Sequence, residues 1–192
     1  MSGFERFNKI LNLFSEKRSS LTVAEISEEL KIPSSTIYRT VREMVLADFL
    51  ESAAGSYFRL GQAFIKFNRI INLSDPLIQA GEPFLKKLAN ENPIPSTNIL
   101  ARLFGDKVMC VADFKYPSFK NNTSYQKGRL MPLLYGATSR AIIMQIKGKR
   151  LRDILNLEGL NDHKQQKIFI SGLDKDKKKG FCKTEGQVDN GL

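Results

Sequence analysis

Apolar residues recur at helical spacing from the first residues onward. Phe4, Phe7, Leu11 and Phe14 predict an amphipathic helix over residues 4–15, closed by the loop Lys17-Arg18-Ser19-Ser20. In Leu21-Thr22-Val23-Ala24-Glu25-Ile26, Thr22 is placed to cap a second helix, Glu25 to reach back in a capping box and Leu21 to staple against Ile26. That helix carries Val23, Ile26 and Leu30 on one face and breaks at Lys31-Ile32-Pro33, because proline disfavours helical geometry in the residue before it yet suits a new first turn. A third helix follows over residues 33–47, with Ile37, Val41, Met44 and Val45 inward and Ser35, Thr36, Arg39, Arg42 and Glu43 outward, Tyr38 flanking. Phe49-Leu50-Glu51-Ser52 and Tyr57-Phe58-Arg59-Leu60, joined by Ala53-Ala54-Gly55-Ser56, predict a small hairpin. Three short helices and a hairpin make a winged helix-turn-helix over residues 1–61.

Residues 62–74 carry Phe64, Phe67, Ile70 and Ile71 on one helical face, a linker helix with apolar surface for a second subunit. Asp75-Pro76 marks a boundary. Beyond it the pattern predicts a helix over residues 77–91, strands over 98–104 and 108–114 turned at Gly105-Asp106, and a loop over 115–129. Helices follow over 137–146, 150–155 and 163–174, then a last strand over 180–184. The fold class is α+β: the winged domain, the linker helix, and a mixed α/β domain over residues 75–192.

Composition sharpens this picture in one place. The 192 residues carry a net charge of +10, yet residues 1–61 hold eight basic and eight acidic side chains while residues 62–192 hold 22 against 12. The basic surplus therefore lies outside the winged segment, and a case for nucleic acid there depends on where individual arginines point. No apolar run reaches the roughly eighteen residues of a bilayer span, and the N-terminus lacks a secretory signal, so the expectation is a cytoplasmic protein without a membrane partner. Two unrelated cysteines, Cys110 and Cys182, exclude a disulfide scaffold.

A helix-turn-helix presents its second helix to the major groove of double-stranded DNA. Arg39 or Arg42 supplies the two-donor fork that matches a guanine edge, while Ser34, Ser35, Thr36 and Tyr38 are phosphate-bonding types that set register. Arg59 on the second wing strand adds a further phosphate contact. Other chemistry is sparse. Asp174, Asp176 and Glu185 sit at three positions of a calcium-loop template, but Lys178 and Lys179 occupy ligand and glycine positions, so a solvated loop is expected. With His163 as the single histidine no triad or histidine-bearing zinc site assembles. No catalytic residue, metal site or cofactor is expected.

Leu21-Thr22-Val23-Ala24-Glu25-Ile26, Ile32-Pro33-Ser34-Ser35-Thr36-Ile37-Tyr38-Arg39 and Tyr57-Phe58-Arg59-Leu60-Gly61 resemble the N-terminal domain of the IclR family of bacterial regulators. Gly128-Arg129-Leu130-Met131-Pro132-Leu133-Leu134-Tyr135-Gly136-Ala137-Thr138-Ser139-Arg140-Ala141 resembles that family's effector-domain signature, and Gly180-Phe181-Cys182-Lys183-Thr184-Glu185 a later one. The resemblance implies a homodimer or tetramer on a palindromic operator, a repressor more often than an activator, with a C-terminal domain sensing a small organic acid. It places Ala137 and Thr138 where an effector-binding loop meets a helix start, whose amides suit a carboxylate, and Thr184 near an acidic pocket position. The family also carries a glutamate near Gln187, and its pattern enters a core strand at Val188-Asp189-Asn190-Gly191-Leu192. A shortened sheet and an impaired sensor are expected, and with them a second reading: an interaction protein that pairs with a full-length relative through Phe64, Phe67, Ile70 and Ile71.

Overall fold

The structure is a computed structural model that describes residues 2–92, 94–116 and 125–188. The chain divides into two compact units, Met1–Asp75 and Pro76–Leu192. Part of the 115–129 loop and the last four residues of the sequence lie outside the described residues.

In the first unit α1 (Gly3–Leu11) is capped by the Ser2 hydroxyl, which accepts from the Glu5 amide. It ends four residues earlier than the apolar spacing predicts. The amides of Leu13 and Phe14 turn back onto the carbonyls of Ile10 and Leu11, so Phe14 still packs on the core without extending the helix. The following residues hold an element the helical pattern hides: β1 (Ser20–Thr22), whose Leu21 is fully buried. Helix α2 (Val23–Leu30) starts on the predicted capping box, with Thr22 accepting from the Glu25 amide at 3.2 Å and donating its own amide to the Glu25 carboxylate at 2.7 Å. It stops at Lys31, which adopts a left-handed conformation (φ 53°). Helix α3 (Ser34–Leu46) buries Ile37, Thr40, Val41 and Met44.

The wing is a three-stranded sheet in the order β1-β3-β2, formed by β1, β2 (Leu50–Ser52) and β3 (Tyr57–Leu60), all antiparallel. Ile10, Leu21, Ile26, Ile37, Val41, Met44 and Leu50 form one core beneath it. Helix α4 (Ala63–Ser74) follows, its Phe64 and Phe67 rings lying 5.7 and 6.0 Å from that of Phe49.

The second unit pairs α5 (Pro76–Glu91) with the antiparallel sheet β4-β5-β6, made of β4 (Thr97–Phe104), β5 (Lys107–Lys115) and β6 (Leu130–Pro132). Burial alternates along β5, so Val108, Cys110 and Ala112 face inward, as period-two geometry requires. Helices α6 (Ala137–Ile143), α7 (Gly148–Leu157) and α8 (His163–Lys179) supply Ile143, Leu151, Ile154, Leu155 and Leu173 to the larger core.

Two expectations are corrected here. Residues 180–184 form no strand: α8 runs on to Lys179 and is closed by Gly180 in the left-handed region (φ 80°). Asp174 and Asp176 consequently lie on helix rather than in a solvated loop, and the calcium template is broken by geometry as well as by its lysines. Strand β6 falls inside the Gly128–Ala141 motif, where no strand was expected; its three residues are too few to show alternation.

Candidate nucleic-acid interface and effector cavity

The α2 to α3 junction is built by polar bonds that leave one face of α3 open. Ser27 donates to the Ile32 carbonyl at 2.6 Å, and Ser34 donates to the Ser27 hydroxyl at 3.0 Å, fixing the turn. No side chain caps α3 at Pro33, and the Thr36 amide turns back onto the Pro33 carbonyl at 2.9 Å, which leaves the Ser34 and Ser35 amides for an outside acceptor. Arg39 and Arg42, one turn apart, are exposed with Ser35 and Tyr38 beside them, and neither arginine is ion-paired among the described residues. Thr36 is half-buried, and Thr40 donates to its carbonyl at 3.2 Å.

By contrast, Arg59 stands opposite Glu51 in the β2–β3 register and is paired with it, so it is not an uncommitted cation. Arg6, on α1, bonds the Thr40 hydroxyl of α3 at 2.7 Å and thereby braces the helix from its inner side. A groove between α3 and the wing is lined by Tyr38, Val41, Arg42, Val45, Ser52 and Phe58. Ser52, at the end of β2, lines this groove, and Lys31 is exposed at the C-cap of α2, three residues before α3; the sequence singled out neither as a site residue. The Lys31-Ile32-Pro33 break was the available signal for Lys31; nothing marked Ser52 before the wing was in place.

The second unit gathers its polar groups around Gly136. The Gly136 amide donates to Gln187 Oε1 at 3.2 Å, the Cys182 thiol to the Ala137 carbonyl at 3.1 Å, and the Tyr125 hydroxyl to the Tyr135 carbonyl at 3.1 Å. Ser139 donates to the Pro132 carbonyl at 2.7 Å and lies 2.9 Å from the Tyr125 hydroxyl. A Cβ at position 136 would stand 2.7 Å from that hydroxyl and 2.9 Å from Val188, and φ is 82°, so only glycine closes this cluster. Beside it lies an open surface pocket of about 310 Å³ lined by Arg129, Tyr135 and Gln187 together with Leu130, Met131, Pro132 and Val188.

Ala137, Thr138 and Thr184 are each half-buried near this cluster, with Cys182 tying the Thr184 segment to Ala137, but none of the three lines the pocket. Arg129 and Tyr135 were missed although they stand within the quoted motif. Among the described residues no group of three or more His, Cys, Asp or Glu side chains could hold a metal, and no helix is long and apolar enough to cross a membrane. Burial, with a smaller contribution from the Asp113 charge, pushes the Cys110 thiol up to about 11, as fits a neutral core side chain.

Comparison with known proteins bears on both units. Residues 5–53 match the IclR helix-turn-helix domain model. The chain is similar to the Pca regulon regulatory protein of Pseudomonas putida, 19% identical over 198 residues that cover 100% of this chain and 67% of that protein. It superposes on the IclR transcriptional regulator of Alicyclobacillus acidocaldarius with a TM-score of 0.79 at 21% identity, over 98% of this chain and 78% of the other. An IclR homolog of Microbacterium hydrocarbonoxydans, solved in complex with 4-hydroxybenzoate, gives a TM-score of 0.74 at 20% identity, over 98% and 79%.

Proposed function

We propose that the chain is an IclR-type transcriptional regulator, a reading supported by its helix-turn-helix match and its fold, and that it represses transcription by reading a palindromic operator with α3. The observation that carries this reading is the open outer face of α3, where Arg39 and Arg42 stand exposed and without an ion-pair partner among the described residues, above a first turn that no side chain caps. Arg39 or Arg42 reads a guanine edge. Ser35, Thr36 and Tyr38 bond the phosphates, Ser34 joins them on giving up its bond to Ser27, and the Ser34 and Ser35 amides add the helix-terminus attraction for an anion. Arg59 is a secondary phosphate contact, because Glu51 competes for it.

For the second unit we propose a sensor of a small organic acid, bound in the open Arg129–Tyr135–Gln187 pocket, with Ala137, Thr138 and Thr184 as further effector-binding residues at the adjoining cluster. The pocket size suits a small aromatic acid, and the Arg129 guanidinium is the natural carboxylate partner. The 4-hydroxybenzoate held by the Microbacterium relative supports this class of ligand. The protein acts in the cytoplasm as a homodimer or tetramer and is not an enzyme.

Operator titration by footprinting at fixed salt tests the reading. Arg39→Ala should lose about 1 to 3 kcal/mol of discrimination between operator and random duplex. An unchanged footprint and preference would remove Arg39 from the interface. Adding 4-hydroxybenzoate to the same titration tests the sensor, which predicts a weakened footprint; no change across a set of aromatic monocarboxylates would reject that ligand class.

A further inference from the structure

Eight cations of the second unit stand at two helix ends, and three of them, Lys147, Arg152 and Lys177, line one depression between those ends. Lys147, Lys149, Arg150 and Arg152 stand in or next to the first turns of α7, and Lys175, Lys177, Lys178 and Lys179 in the last turns of α8. A shallow depression of about 230 Å³ joins the two ends, lined by Lys147 and Arg152 from one side and Asp174 and Lys177 from the other. Lys177 donates to Gln145 Oε1 at 2.9 Å and to the Met144 carbonyl at 3.3 Å, in the segment between α6 and α7. Three acids lie among these eight cations: Asp153, Asp174 and Asp176. Asp176 is already paired with Arg140. None of the eight takes part in an ion pair among the described residues.

Local structure accounts for only half of this arrangement. Lysines in the last turn of α8 complement the negative end of that helix. Cations in the first turn of α7 do the opposite: they add to the positive end of its dipole, with no acidic residue in that turn to offset them. Four like charges held at the unfavourable end of one helix, against four more from the next, repel one another and raise the local potential. A polyanion docked against these helix ends would relieve that repulsion.

We infer that the α7–α8 face is a docking surface for the phosphate backbone of duplex DNA, giving the second unit a sequence-independent contact distinct from the base-reading face of α3. The depression between the two helix ends is lined by no aromatic side chain, so it offers no platform on which the bases of a single strand could stack. A duplex is also the polyanion that the helix-turn-helix domain of this chain brings into its company.

The experiment is the salt dependence of full-chain binding, by fluorescence anisotropy, to an operator duplex and to a random duplex. Each phosphate contact contributes roughly 0.9 to the slope of log K against log salt. Lys149→Gln/Lys178→Gln should therefore lower that slope by about 1.8 on both duplexes, weaken both several-fold and leave their ratio unchanged. Arg150→Gln/Lys175→Gln must do the same, which guards against a folding defect in one variant. Lys86→Gln/Lys87→Gln, on α5, removes equal charge elsewhere and should leave the slope alone.

A slope unchanged in both α7–α8 pairs overturns the inference. So does an equal fall in the α5 pair, which would make the effect one of net charge, or a wild-type slope on DNA accompanied by lost binding to phosphatidylserine vesicles. The outcome is separable from base reading: Arg39→Ala changes the operator-to-random ratio, and the lysine pairs change the slope.

Discussion

At Gly61 the chain passes so close to Asp48 that an added Cβ would lie 2.2 Å from the Asp48 carbonyl oxygen and 3.0 Å from the backbone of Leu50. Two backbone bonds hold it there: the Gly61 amide donates to Phe49 at 2.9 Å and the Ala63 amide to Asp48 at 3.0 Å. The contact is with backbone, which cannot rotate away, so Gly61→Ala must open the seam between the wing and α4. We expect a loss of about 1 to 3 kcal/mol or more in the first thermal transition, the range for forced overpacking. An unchanged melting profile would show that this seam yields freely. Gly61 belonged to the quoted Tyr57–Gly61 motif, but its reason could not be found there, because Asp48 approaches only after the wing has folded. The same holds for Arg59. Sequence marks it as a basic residue on the wing, and only the β2–β3 register reveals Glu51 as its partner.

Among the elements, those announced by local chemistry were legible in the sequence and those that depend on a distant strand were not. The Thr22–Glu25 box is local, three residues apart, and the structure contains both of its bonds. Those bonds hold the Glu25 carboxyl below its ordinary value of 4.5, chiefly through the Thr22 amide and then its hydroxyl. A depressed carboxyl contributes stability that is fully present above pH 4.5 and lost as the pH falls through its lowered value. Thr22→Ala should therefore cost about 1 kcal/mol at neutral pH. Its difference from wild type should shrink on acidification below pH 4.5, read as melting temperature across pH 3 to 7. A difference constant over that range would mean that the Thr22 hydroxyl's bond to the Glu25 carboxylate plays no part, the amide's bond being kept in the variant. The strands β1 and β6 have three residues each and pair with β3 and β5, far along the chain, so no local period marks them. Residues 180–184 show the converse: a β-like composition stays irregular once α8 extends to Gly180.

For the molecule as a whole, the exposed apolar surface of α4 bears on assembly. Ile65, Ile70, Ile71 and Leu73 are each half-exposed or more, an apolar load that a solvated helix does not carry without cost. A palindromic operator asks for two recognition helices about one helical turn of DNA apart, which a single chain cannot supply. Pairing through α4 meets both demands. We therefore expect wild-type protein to sediment as a dimer or a tetramer built from it. Ile70→Asp, half-exposed and outside the core, should sediment as a folded monomer that footprints one half-site at best. A monomeric wild type with an intact two-site footprint would reject α4 as the pairing surface. The α4 face can also accept the corresponding helix of a longer relative, and the two cases separate by stoichiometry. Homodimers form from the purified chain alone, whereas a modulating partner would form mixed dimers that bind the operator less well than those of the relative alone.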